Sequence, residues 1–125
     1  MAKLLLIDDN LQFCTMLQQM LKSEGHHVVT AHNGMDGIKR FREDPCDLVI
    51  TDILMPEKEG TETIQELKQE FPDIGIIAIS GGGRGLAPEF GLELASAFGA
   101  ARVLSKPFSR LEIVQAIEDV LGLRK

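Results

Sequence analysis

The stretch Asp47-Leu48-Val49-Ile50-Thr51-Asp52-Ile53-Leu54-Met55-Pro56 decides the fold. Leu48, Val49 and Ile50 form a short, unbroken apolar run, the pattern of a strand buried on both faces of a parallel sheet. The run stops at an acid, Asp52, and Pro56 and Gly60 mark the loop that follows.

The same alternation continues on both sides. Toward the N-terminus, Lys3 to Ile7 is a second, nearly continuous apolar run, and it stops at Asp8-Asp9. Phe13, Met16, Leu17, Met20 and Leu21 then keep the spacing of one helix face, and Gly25 suits the end of that helix. His27 to Thr30 reads as a strand, and a helix from about Asn33 to Glu43 follows, stopped by Pro45. Toward the C-terminus, Ile64, Leu67 and Phe71 space a helix closed by Pro72, and Ile74 to Ile79 is a strand. Gly81 to Gly85 is too rich in glycine to hold a helix. Phe90 to Phe98 reads as a helix with Gly99 as its cap, and Arg102 to Leu104 as a short strand. Ser109 and Glu112 have capping-box spacing ahead of the stripe Ile113, Ala116, Ile117, Val120 and Leu121. Five βα units in series predict an α/β fold, a parallel sheet with helices on both faces and right-handed crossovers.

Composition narrows the function classes. A chain of 125 residues is one domain's worth of material, and it needs no disulfide or structural metal to fold. The formal net charge is −6, which disfavours phosphate backbones and anionic membranes. There is no Trp or Tyr, so a base-stacking platform is not expected, and no apolar run approaches membrane-spanning length. Cys14 and Cys46 have no partner at metal-ligand spacing and read as reduced, buried thiols in a cytoplasmic protein. His26, His27 and His32 read as surface or edge residues, because strand alternation separates His26 from His27.

The strand ends carry the chemistry. In a parallel sheet ligands bind beyond the carboxyl ends of the strands, at the point where strand order reverses. The runs here end in Asp8-Asp9, Asp52, Ser80 and Lys106-Pro107. Taken singly, each has an ordinary role: a helix cap, a turn former, a solvated lysine. Together, at matching ends of separate segments, they predict one pocket. Carboxylates crowded there repel by about 4 kcal/mol per pair at 4 Å with an effective dielectric near 20. Either one keeps its proton or a cation enters, and oxygen ligands suit Mg²⁺. Lys106 and Ser80 would stabilise a phosphoryl group in transfer, and an Asp in that pocket can accept it as an acyl phosphate.

With these residues in view, the sequence resembles the receiver domain of two-component response regulators, in the single-domain form of chemotaxis and phosphorelay receivers. Leu4-Leu5-Leu6-Ile7-Asp8-Asp9-Asn10, the Asp47 to Pro56 stretch with Gly60, Ile77-Ala78-Ile79-Ser80, and Gly99-Ala100 leading to Lys106-Pro107-Phe108 carry the resemblance. It implies a flavodoxin-like three-layer sandwich, a five-stranded parallel sheet in the order 2-1-3-4-5 with five helices. It implies one receiver domain over residues 1–125, with no output domain after the last helix. By position, Asp52 matches the phosphoryl acceptor. Asp9 matches a direct Mg²⁺ ligand, Asp8 the acid that acts through water, and the Leu54 backbone carbonyl a further ligand. Ser80 matches the switch hydroxyl and Lys106 the phosphoryl-binding lysine, followed by Pro107 after a bond that is often cis. The implied function is Mg²⁺-dependent acceptance of a phosphoryl group from a histidine kinase or histidine phosphotransfer protein. Phosphorylation-dependent binding of a downstream protein follows, by a monomer or a phosphorylation-dependent dimer. No turnover enzyme, nucleic-acid partner or membrane is implied. The alternative is a pseudo-receiver, an interaction module that does not need phosphorylation.

The sequence departs from that pattern in places. Val103 stands where the family has the aromatic rotor, and valine, stiff at χ1, cannot rotate as a ring does. Gly81 stands where alanine is frequent, and the glycines after Ser80 predict a loop that orders on phosphorylation. Leu54 and Gly82 occupy the positions tied to acyl-phosphate lifetime, and neither orients a water, so slow self-dephosphorylation is expected.

Overall fold

The computed structural model describes residues 2–53, 60–80 and 99–123. Its sheet has five parallel strands, β1 (Lys3–Ile7), β2 (His27–Ala31), β3 (Leu48–Asp52), β4 (Gly75–Ser80) and β5 (Arg102–Ser105), in the order β2-β1-β3-β4-β5. Strand order reverses between β1 and β3, so the loops leaving these two neighbours depart toward opposite faces and open a crevice. Four helices are present among the described residues: α1 (Leu11–Ser23), α2 (Gly34–Glu43), α3 (Gly60–Glu70) and α4 (Arg110–Leu123). The helix expected from Phe90 to Phe98 and the Gly81 to Gly85 loop lie outside the described residues.

The two faces of the sheet bury separate clusters. Leu4, Leu6, Leu48, Ile50, Ile77 and Ile79 pack with Leu17 and Leu21 of α1 and Ile113, Ala116, Ile117 and Val120 of α4. Leu5, Ile7, Val49, Ile76 and Ala78 pack with Ile38 and Phe41 of α2 and Ile64 and Leu67 of α3. Neighbouring strand residues thus point to opposite helix layers, which is why the central runs Leu4 to Ile7, Leu48 to Ile50 and Ile76 to Ile79 are unbroken apolar.

Local chemistry sets the helix ends. Asn10 and Asn33 cap α1 and α2, their side chains accepting from the amides of Phe13 and Asp36. The Ser109 Oγ accepts from the Glu112 amide at 3.1 Å and Glu112 Oε1 from the Ser109 amide at 3.0 Å, a complete capping box. Gly25 and Gly99 take positive φ, 95° and 113°. The α1 stripe is rotated from the expected one: Cys14 is buried with Leu17 and Leu21, while Met16 is 47% exposed and Phe13 and Met20 flank the core. A stripe centred on Cys14, Leu17 and Leu21 keeps i, i+3, i+7 spacing, so a small thiol takes the core place expected for a methionine.

Candidate functional site

Each strand end delivers one piece of a single pocket. The Asp8 amide extends the β1–β2 ladder by donating to the Ala31 carbonyl at 3.1 Å, which turns the Asp8 side chain into the crevice. Asp8 is fully buried, and both its oxygens are held: Oδ1 accepts from the Asn10 amide at 2.9 Å, Oδ2 from Lys106 Nζ at 3.1 Å. Asp52, the last residue of β3, is buried and lies in register with Ile79. Ser80 closes β4, also buried, and its carbonyl accepts from the Lys106 amide at 2.8 Å, fixing where the lysine leaves β5. The Lys106–Pro107 bond is cis.

Carboxylate oxygens of Asp8, Asp9 and Asp52 lie within 4.8 Å of one another. At that spacing each ionised pair opposes the other by about 3 kcal/mol at an effective dielectric near 20. Asp52 registers the crowding. Burial, and then the Asp8 carboxylate, push its pKa from the usual carboxylate range up to about 6, while Lys106 and a backbone hydrogen bond from Ile53 pull it back. The same surroundings act on Cys14, whose Sγ donates to the Asp8 carbonyl at 3.3 Å; burial and Asp8 raise that thiol to about 11, so it stays protonated. The donor set is hard, anionic and all oxygen, and Lys106 is the ammonium beside it among the described residues. It fits a hard divalent cation such as Mg²⁺.

Two close approaches frame the pocket. A Cβ on Gly60 would stand 1.9 Å from the Asp52 carbonyl oxygen and 2.5 Å from the Ile53 Cα, so α3 begins directly against the backbone that carries the acceptor candidate. On the opposite side the Lys106 ammonium sits 3.9 Å from the centroid of the Phe13 ring. Neither role was legible at sequence level. Gly60 read as a loop glycine and Phe13 as one more residue of an apolar stripe; only its position, five residues after Asp8 on the first turn of α1, hinted at the pocket.

The sequence-predicted residues are therefore brought together for Asp8, Asp9, Asp52, Ser80 and Lys106. The Leu54 carbonyl, Gly82, Phe90 and Phe98 lie outside the described residues. Val103 does not join the pocket cluster. It is half-buried, in register with Ala78, and packs against the cluster on the α2–α3 side. His26, which is half-buried, accepts from the Ala2 amide through Nδ1 at 3.3 Å, and His27 and His32 are exposed, so the histidines form no site. Cys14 and Cys46 are free and buried.

The sequence model of the response regulator receiver domain matches residues 4–118. The chain belongs to that family. It is 36% identical over 121 residues to the transcriptional regulatory protein CpxR of Klebsiella pneumoniae, covering 97% of this chain and 50% of that protein. It is 34% identical over 122 residues to the response regulator receiver protein CpdR of Brucella abortus, covering 97% of this chain and 98% of that one. The chain thus spans about half the length of the CpxR relatives it matches and nearly all of CpdR. Among solved structures, a response regulator receiver domain protein from Clostridium thermocellum superposes with a TM-score of 0.90 at 29% identity, covering 99% of this chain and 97% of that one. Receiver domains are signalling domains of two-component systems, served by histidine kinases or phosphotransfer proteins, and they hold Mg²⁺ at an acidic pocket. No helix among the described residues is long and apolar enough to cross a membrane.

Proposed function

We propose that this receiver accepts a phosphoryl group on Asp52 from a phosphohistidine of a histidine kinase or phosphotransfer protein. The observation that carries the reading is the convergence of the Asp8, Asp9 and Asp52 carboxylates within 4.8 Å beside the Lys106 ammonium. An Asp52 oxygen attacks phosphorus, the P–N bond breaks, and its electron pair returns to the donor imidazole. The product is an acyl phosphate on Asp52. Asp52 with a pKa of about 6 is largely ionised at neutral pH and so retains the lone pair this step needs.

Asp9 and Asp52, with the Leu54 carbonyl, would hold Mg²⁺ in this reading, and Asp8 would act through water. The two hydrogen bonds already occupying the Asp8 oxygens support that division. Mg²⁺ held there would supply positive charge against the carboxylates and the phosphoryl oxygens. Lys106 meets a phosphoryl oxygen, and the Ser80 hydroxyl, at the neighbouring strand end, bonds another. The chain is consumed as a substrate in each cycle and catalyses only its own phosphorylation. Output is phosphorylation-dependent binding of a partner protein, with Val103 leaving the ring rotor out of the switch. Two free, buried cysteines go with a reducing, cytoplasmic setting.

The test is the mass of the intact protein after incubation with Mg²⁺ and acetyl phosphate. A gain of one phosphoryl group, absent without Mg²⁺ and absent in Asp52→Asn, is expected. No gain in the wild-type chain, with the fold intact by circular dichroism, overturns the reading in favour of an interaction module that does not need phosphorylation.

A further inference from the structure

Lys106 is the one cation placed among the pocket carboxylates in the described residues, and an ammonium on a four-carbon stem has many rotamers to lose. Something must fix where it points. Asp8 supplies one anchor at 3.1 Å, but a single ion pair leaves the stem free to swing about it. The second anchor is aromatic. Lys106 Nζ lies 3.9 Å from the Phe13 ring centroid, well inside the range in which a ring face attracts a cation. The ring is itself held. Phe108 meets it edge-on, with centroids 5.9 Å apart and planes at 87°, and both rings pack against the α1–α4 core cluster. Phe13 stands on the first turn of α1, whose cap, Asn10, accepts from the Phe13 amide at 3.0 Å, while the Asn10 amide donates to Asp8. The ring and the carboxylate that share the ammonium are thus tied to one short piece of backbone.

We propose that Phe13 is a positioning residue for phosphoryl transfer: its ring face seats the Lys106 ammonium beside Asp8, and Phe108 fixes the plane of that ring. The proposal rests on the phosphoacceptor reading above. An ammonium has three N–H donors. Asp8 accepts one, and the ring occupies another direction without competing as a hydrogen-bond acceptor, which leaves a donor for a phosphoryl oxygen. Water in the place of the ring would hydrate the ammonium, and that hydration would have to be stripped before the lysine met the phosphoryl group.

Three chains at position 13 separate the ring face from mere bulk: Phe13→Leu, Phe13→Trp, and 3,4,5-trifluorophenylalanine, which keeps the shape but depletes the negative face. The readout is the rate constant for phosphorylation by acetyl phosphate at saturating Mg²⁺, followed by intact mass. From the worth of a partly desolvated cation–π contact, Phe13→Leu is expected to slow the reaction about 5-fold and the trifluoro ring about 3-fold, while Phe13→Trp stays within about 2-fold of wild type. In a Lys106→Ala background the Phe13→Leu effect disappears, because its target is gone. A readout independent of activity is the Lys106 ε-methylene proton shift, displaced upfield by the ring in the wild-type chain and returned to its ordinary position in Phe13→Leu. Wild-type phosphorylation with the trifluoro and wild-type rings equally fast overturns the proposal alone. So does an ordinary Lys106 shift in the wild-type chain. A wild-type chain that gains no phosphoryl group overturns the phosphoacceptor reading and this role with it.

Discussion

The two ends of the same sheet handle charge in opposite ways. At the amino edge, Lys3 pairs with Asp44 through its side chain and with Asp47 through its amide, at 2.8 Å, and the Lys3 carbonyl accepts from the Asp47 amide at 2.8 Å. One ammonium there faces two carboxylates near open water, and Asp44 is 68% exposed. At the carboxyl edge, among the described residues, three carboxylates gather near the Lys106 ammonium, with the Asp8 side chain 1% and the lysine 23% exposed. The first arrangement is largely solvated, so its charges cost little. The second crowds carboxylates together, with Asp8 and Asp52 buried, and such crowding fits the proposed site for a cation and a phosphoryl group.

The largest expected effect falls on the ammonium. Lys106→Ala removes the donor aimed at the developing phosphoryl charge and is expected to slow phosphorylation by acetyl phosphate roughly 10²–10³-fold. An intact-mass time course measures it. A loss under about threefold would erase the functional half of the contrast between the edges.

The next effect is on stability, and it has a sign. Asp52 holds its proton more tightly folded, at a pKa of about 6, than an ordinary Asp does unfolded, at about 4. Between those values the native state binds more protons, so stability falls as pH rises through that window and stays lower above it. Asp52→Asn removes the penalty. In Mg²⁺-free buffer at pH 8 the variant is expected to be more stable than wild type by roughly 3 kcal/mol, with the gap closing below about pH 4. Urea melts at the two pH values decide it, and a gap that does not change with pH would mean that the crowding at Asp52 is not electrostatic.

Glycines at the two edges give a smaller, paired test. Gly60→Ala drives a methyl into the backbone of Asp52 and Ile53, which cannot move without moving the site. Gly75→Ala meets only side chains, Val120 with Cγ1 at 2.4 Å and Leu48 with Cδ1 at 4.0 Å. The expected losses are about 3 kcal/mol for the first and about 1 kcal/mol for the second, by urea midpoint at constant slope. Only the first is expected to slow phosphorylation as well.

What the sequence revealed of each region follows the same division. Lys3 to Ile7 was readable residue for residue as a strand, because burial on both faces demands an unbroken apolar run. Ser109 and Glu112 announced their helix, because a capping box is a local bond pattern. Asp8, Asp9, Asp52, Ser80 and Lys106 were legible as one site because a parallel sheet sends all its strand ends to one edge. Phe13 and Gly60 were not. Their roles depend on which residue the first turn of α1 places under Lys106 and on how closely α3 approaches β3, and no local pattern encodes either distance. The rotation of the α1 stripe has the same origin: Met16 and Cys14 both satisfy helical periodicity, and tertiary packing chose the smaller.

The smallest prediction guards the other half of the contrast. Lys3→Met removes the ammonium that pairs with Asp44 but keeps the aliphatic stem and the Lys3 amide that donates to Asp47. Asp44 is more than half exposed, so water replaces the lost partner, and the attraction was screened by salt from the start. The urea midpoint is therefore expected to stay within experimental error of wild type, at low and at high salt, with the phosphorylation rate unchanged. If instead the midpoint falls clearly and the fall disappears in high salt, the amino edge depends on its charges as much as the carboxyl edge does, and buried, crowded charge ceases to distinguish the two ends of this sheet.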